Sequence, residues 1–110
     1  MLPSDDLSRA RTEALAQIEA LTREFDAIVA ASQASNADDE HDPEGATIAF
    51  ERQQVAALLE QARRRLADVD VAVIAVENGT YGRCETCGRP IASERLAARP
   101  TARTCIDCAR

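Results

Sequence analysis

Two stretches of the chain repeat apolar side chains in alternating steps of four and three residues. The first runs through Leu7, Ala14, Ile18, Leu21, Phe25 and Ile28, with Arg11 at the one position that breaks the series. The second carries Val55, Leu59, Ala62, Leu66, Val69, Val73 and Val76. Steps of this kind put a single apolar stripe along a helix and predict a seam between paired helices; a strand would alternate at every second residue. Ser4-Asp5-Asp6 reads as the start of the first helix, with Ser4 as its cap and two carboxylates at the positive end of its dipole. Asn78-Gly79-Thr80 reads as the end of the second, because Gly79 can take the left-handed conformation in which helices often finish.

Between the seams, Ser32 to Gly45 is rich in Ser, Asn and Asp and contains Asp42-Pro43-Glu44-Gly45, so it is expected to be a connecting tip rather than an element. Folding the chain back at about residue 40 opposes Leu7 to Val73, Ala14 to Leu66, Ile18 to Ala62, Leu21 to Leu59 and Phe25 to Val55. Two separately written seams then meet apolar to apolar, with small Ala opposite larger partners. The predicted fold is therefore mostly α: a long antiparallel two-helix coiled-coil hairpin over residues 1–79, tip at about 32–46, followed by a small module over 80–110. At about 1.5 Å per residue, arms of roughly 28 residues make a rod about 40 Å long. The same seams would also suit half of a four-helix assembly formed by dimerisation. The stretch Val69 to Val76 is apolar almost all round and is expected to bury more than one face, where both helices meet the C-terminal module.

Composition agrees with thin helical packing. The chain has 110 residues with one Tyr, two Phe and no Trp, and its 45% hydrophobic content is mostly Ala, Leu, Val and Ile. That is too little bulky apolar matter for a conventional core, so a local staple is needed. The net charge of −6 is uneven: residues 1–46 hold 11 acids and 3 arginines, giving −8, and residues 47–110 hold 8 acids and 10 arginines, giving +2. Overall acidity argues against general nucleic-acid binding, which depends on neutralising phosphates. No run of about 18 apolar residues suggests a membrane span, and the N-terminus lacks a signal-peptide pattern, so a cytoplasmic location is expected.

The staple is legible in the cysteines. Cys84-Glu85-Thr86-Cys87 is separated by seventeen residues from Cys105-Ile106-Asp107-Cys108. Two such pairs at this spacing suit four-thiolate zinc coordination, each tight turn presenting two sulfurs, and in a reducing compartment they are better ligands than disulfides. Gly88 allows the first turn to bring amides toward sulfur. With all four positions filled by Cys, one structural Zn2+ is expected, with no open position for catalysis. A redox dithiol would need a βαβ frame that is absent here. Ile91 to Ala98 reads as a short helix ended before Pro100, and Tyr81 as a residue packed beside the cysteine turns.

These residues resemble a known family. Tyr81-Gly82-Arg83-Cys84-Glu85-Thr86-Cys87-Gly88, Ile91, Arg95-Leu96-Ala97-Ala98-Arg99-Pro100 and Cys105-Ile106-Asp107-Cys108 are similar to the zinc-finger signature of the DksA/TraR family, and the preceding hairpin resembles that family's coiled coil. The resemblance implies a non-enzymatic transcription regulator that binds bacterial RNA polymerase. It implies a coiled coil inserted into the secondary channel, an acidic tip near the catalytic centre and, in some members, joint action with ppGpp at the polymerase interface. The family's tip carries a D-x-x-D-x-A arrangement. Asp42 matches the first aspartate, the second position falls on Gly45, and the Ala falls on Thr47 or, with a slip of one, on Ala46. Asp39 and Asp42 also keep the D-x-x-D spacing, and Glu44 can stand in for the absent carboxylate, so Asp39, Asp42, Glu44 and Ala46 are the candidate tip residues. The chain stops two residues after Cys108, so the helix that follows the finger in family members is expected to be missing.

Two other classes fit parts of the pattern. Arg83, Arg89, Arg95, Arg99 and Arg103 make the finger basic, which would suit a zinc-ribbon-like nucleic-acid-binding module, although no aromatic platform accompanies them. The hairpin could instead serve an adaptor through oligomerisation. Arg64 and Arg65 either meet an acidic surface or balance the acidic first helix, and His41 reads as a loop residue. No direct sequence-specific DNA contact and no membrane contact are expected. Nothing in the pattern provides a nucleophile–base pair or a phosphate loop.

Overall fold

The computed structural model describes residues 3–35 and 43–109. Among these, three helices occur in the order α1 (Pro3–Ser35), α2 (Pro43–Asn78) and α3 (Ser93–Ala98), with no strand beyond one isolated antiparallel bridge between Arg83 and Pro90. The chain is mostly helical, and the two long helices pack against each other. They form two compact units: Ala14–Arg64 is one, and Met1–Glu13 with Arg65–Arg110 is the other.

Both long helices begin on proline. Proline's fixed φ suits the first helical turn, and the amide hydrogen it lacks has no intrahelical partner there anyway. Ser4 is consequently inside α1 and is not its cap, while Asp5 and Asp6 occupy the first turn as expected. The same effect corrects the connecting segment. Pro43, read from the sequence as part of a turn, opens α2, and α1 continues through Ser32 to Ser35, so helix takes up both flanks of the expected tip. Asp39, Asp42 and His41 lie outside the described residues.

In the unit Ala14–Arg64 the seam is the core. Leu21, Val55, Leu59 and Ala62 are buried as one cluster, with Ile18, Phe25 and Ile28 packed against it. Apart from Ile28, these are the residues that the antiparallel fold-back places opposite one another. Each buried Leu or Val contributes about 1.5–3 kcal/mol relative to exposure. Thr22, half-buried beside the cluster, satisfies its hydroxyl on the Ile18 carbonyl at 2.7 Å. Arg64 pairs with Glu60 one turn back at 3.8 Å.

In the other unit, Leu7 and Val69 are fully buried. Arg11, the residue that interrupts the first heptad series, stays exposed and donates from Nε to Asp70 Oδ1 at 3.2 Å. The apolar stretch at the end of α2 is only partly used. Ala72 is buried, but Val71 and Ile74 are 44% and 54% exposed. The expectation of burial on more than one face holds for the small residue and fails for the two large ones.

α2 ends in a paired hydrogen-bond cap. Gly79, at φ +75°, donates to the Val76 carbonyl at 3.2 Å, and Thr80 donates to the Ala75 carbonyl at 2.9 Å. These are the two bonds of a Schellman motif, in which a left-handed glycine lets the chain turn off the helix axis. No helix among the described residues is long and apolar enough to cross a membrane.

Candidate metal centre

The chain leaving Gly79 folds at once into a small hairpin that carries the first cysteine pair. Ile91 donates to Gly82 O at 2.7 Å and Cys84 to Arg89 O at 2.8 Å, on either side of the Arg83–Pro90 bridge. At the turn, Gly88 adopts φ +77° and donates to Cys84 O at 2.9 Å. The second pair sits in a tighter turn, in which Cys108 and Ala109 both donate to the Cys105 carbonyl, at 3.1 and 3.0 Å. The first turn is tied to the approach to the second by Glu85 N–H to Arg103 O at 2.9 Å, and α3 is tied there by Arg95 Nε to Thr104 O at 2.9 Å. α3 starts two residues later than the sequence pattern predicts. Tyr81 is half-buried and donates its hydroxyl to Pro100 O at 2.7 Å, so it packs beside the turns as expected. Its phenol is held above its usual range, first by burial and then by the charge of Asp6.

This framework converges on sulfur. The ligand atoms of Cys84, Cys87, Cys105 and Cys108 all lie within 4.8 Å of one another. Cys87 Sγ and Cys105 Sγ are 3.8 Å apart, and no disulfide is formed. A tetrahedral zinc ion with Zn–S bonds of about 2.3 Å requires sulfur–sulfur edges of about 3.8 Å. The cluster therefore has the size a zinc ion needs, and its four soft sulfur donors are the set that selects zinc among common divalent ions. The four cysteines are positioned to bind one such ion.

The local electrostatics suit a cation. Cys84 is pulled down to about 6, principally by the Cys105 backbone N–H, then by those of Cys87 and Thr86. Cys87 is lowered by the Arg89 backbone N–H and, next, by the Arg89 guanidinium. Cys108 is pushed up to about 12, because its sulfur hydrogen-bonds to those of Cys105 and Cys84. In this folded arrangement the sulfurs thus hold thiolate character at one end and a retained proton at the other. A divalent ion would replace that proton.

The comparisons with known proteins follow the same lines. Residues 79–110 match the prokaryotic DksA/TraR C4-type zinc finger. The solved structure of transcription factor DksA2 from Pseudomonas aeruginosa superimposes with a TM-score of 0.77 and 34% identity, over 96% of this chain and 75% of that one. The chain belongs to the DksA/TraR family. Among curated members, the uncharacterized protein YteA of Bacillus subtilis is 45% identical over 69 residues, which is 63% of this chain and 29% of that protein. The RNA polymerase-binding transcription factor DksA of Escherichia coli K12 is 41% identical over 49 residues, 44% of this chain and 32% of that protein. The match thus spans less than a third of each of these two DksA/TraR relatives.

Of the candidate tip residues, Ala46 is exposed in the first turn of α2 and Glu44 belongs to the same turn. The finger arginines are not a uniform basic surface. Arg95 is spent on a backbone carbonyl, and Arg103 pairs with Asp68 of α2 at 2.9 Å. Sequence reasoning missed these roles. The signal for the Arg103 pair was present: Asp68, beside the apolar end of α2, requires a polar partner, as does Asp70, which is met by Arg11 at its empty heptad position.

Proposed function

We propose that this chain is a transcription regulator that binds bacterial RNA polymerase, inserting its helical hairpin into the secondary channel through which nucleotides reach the active site. The observation that carries the proposal is the alignment of nearly the whole chain, both long helices and the four-cysteine module, with a solved transcription factor of the DksA type. The curated relative from Escherichia coli is named for polymerase binding, and that activity is extended here to a chain sharing the hairpin and the finger. Zinc, held by Cys84, Cys87, Cys105 and Cys108, is structural in this reading. All four positions are taken by protein sulfur, and a catalytic zinc needs one left open. The chain is accordingly a regulator and not an enzyme, acting in the cytoplasm with the polymerase.

Asp39, Asp42, Glu44 and Ala46 are the residues proposed to approach the polymerase active site, with ppGpp a candidate joint ligand at the polymerase interface. Direct sequence-specific DNA recognition is disfavoured by the net charge of −6 and by the engagement of Arg95 and Arg103 within the fold. The test is retention of the zinc-loaded chain on immobilised bacterial RNA polymerase, with competition by an established secondary-channel binder. Competed binding at micromolar concentration is the expected result, and its absence would overturn the proposal. In vitro transcription with Asp42→Asn and Glu44→Gln then tests the tip. Parent-like behaviour of both would show that neither carboxylate acts.

A further inference from the structure

α3 has six residues and buries none of them, and a helix this short does not hold its shape alone. Two adjacent residues fasten it to the two halves of the module. Leu96 rests on the backbone two residues before Cys84, where a methyl added at Gly82 would lie 3.2 Å from Leu96 Cδ1. Arg95, half-buried, donates from Nε to the Thr104 carbonyl at 2.9 Å, and Thr104 is joined directly to Cys105. α3 thus has one hold beside each cysteine pair.

The two pairs depend on that brace unequally. The first sits in a hairpin closed by Cys84 N–H to Arg89 O at 2.8 Å and Ile91 N–H to Gly82 O at 2.7 Å. The backbone bonds of the second, from Cys108 and Ala109 to the Cys105 carbonyl, are internal to its turn. Its placement is set by the segment that delivers it. Tyr81 holds that segment at Pro100 O, Glu85 holds it at Arg103 O, and Arg95 makes the last hold before the ligand. Four sulfurs fit one ion only when both turns stand at the right separation, and ordering a loose turn on binding subtracts from affinity.

We propose that Arg95 is a positioning residue for the metal centre, whose Nε–H fixes the Thr104 carbonyl and so sets Cys105 and Cys108 against Cys84 and Cys87. Outer partners of metal ligands typically change affinity by about 10- to 100-fold. Arg95 acts through the backbone beside a ligand, so the lower end is expected. The inference rests on the zinc reading of the four cysteines and not on polymerase binding.

The experiment measures the affinity of the full chain for Zn2+ by competition with a chromogenic chelator. Gln carries its amide nitrogen as many bonds from Cα as Arg carries Nε, whereas Met has a stem of the same length and no donor. Both form helix about as well as Arg, so α3 itself is not the variable. Arg95→Met should bind zinc about tenfold more weakly than the parent, and Arg95→Gln within about threefold of it. Arg99→Ala, which removes a cation lining the same groove as Arg95, should stay within about twofold. Cobalt(II) supplies a second readout, because the visible bands of a tetrahedral four-thiolate ion should keep their parent shape when positioning alone is lost. Altered bands in Arg95→Met would show a lost ligand and overturn the positioning role. Parent-like affinity in Arg95→Met, affinity in Arg95→Gln as low as in Arg95→Met, or an equal loss in Arg99→Ala would overturn it as well. Should Arg95→Met fail to keep its helical circular dichroism, Arg95→Ala, which also lacks the donor, decides by the same criteria. A parent chain that binds no zinc would instead overturn the zinc reading, and this inference with it.

Discussion

Removing the metal should unravel the C-terminal module while leaving the seam of the two long helices intact. Past α2, only Cys84 and Ile91 among the described residues are buried hydrophobics, so the module has almost no core of its own. One buried Ile contributes about 1.5–3 kcal/mol, whereas structural zinc sites contribute about 10–16 kcal/mol of apparent binding energy. Residues 14–64 instead keep the cluster of Leu21, Val55, Leu59 and Ala62, which contains no cysteine. The helices contain 33, 36 and 6 residues, 75 in all, so loss of α3 removes 8% of the helix. If the last turn of α2 frays with its glycine cap, about four more residues go, and the loss reaches roughly 13%. The assay is circular dichroism at 222 nm before and after chelation, joined to amide hydrogen exchange resolved by peptide. Ellipticity should fall by about a tenth, with exchange accelerating in 79–109 and little changed in 14–34 and 47–64. A loss of more than a third of the ellipticity would show that the ion holds the hairpin itself. Unchanged exchange in the module would show that sulfur does not organise it. Cys84→Ser should reproduce the chelated state, and a variant with full metal content and an unaltered melting curve would refute the ligand assignment.

Three further outcomes follow from particular residues. Leu59 and Leu58 are neighbours with 8% and 46% exposure, so Leu59→Ala should destabilise by about 2–4 kcal/mol and Leu58→Ala by less than about 1 kcal/mol in urea titrations of the zinc-loaded chain. Gly79→Ala should cost about 1 kcal/mol, because its φ of +75° is unfavourable for any L residue while no neighbouring atom obstructs the added methyl. Zinc binding near pH 7.5 should release close to four protons, because the metal-free module is unravelled and each thiol, with an ordinary value of about 8.5, enters mostly protonated and ends as a zinc-bound thiolate. Below that value the unravelled state holds protons that the zinc-bound state excludes, so the affinity for zinc should fall as pH falls. Calorimetry in buffers of different ionisation enthalpy counts the protons, and a count of about two or fewer would show that a preformed, partly ionised site survives chelation.

Much of this molecule is written locally. A four-three apolar rhythm specifies which residues share a helix face, and two such rhythms read in opposite directions specify the register, so Leu21, Leu59, Val55 and Ala62 were identifiable as neighbours. Paired cysteines at short spacing specify a ligand set, because any backbone that closes two tight turns on one ion brings the four sulfurs together. Glycine after Asn78 specified the end of α2 through its conformational freedom alone. The tertiary structure decided what periodicity cannot encode. An apolar helix end does not say which face meets a second partner, and packing chose Ala72 over Val71 and Ile74. Nor does a C-x-x-C pair say which sulfur is sealed by amides and which is left to solvent. Arginines that look alike in sequence were separated into a backbone clamp at Arg95 and an ion pair at Arg103. Each of these depends on groups distant in the chain or on the turn that carries them, and proximity of that kind exists only after folding.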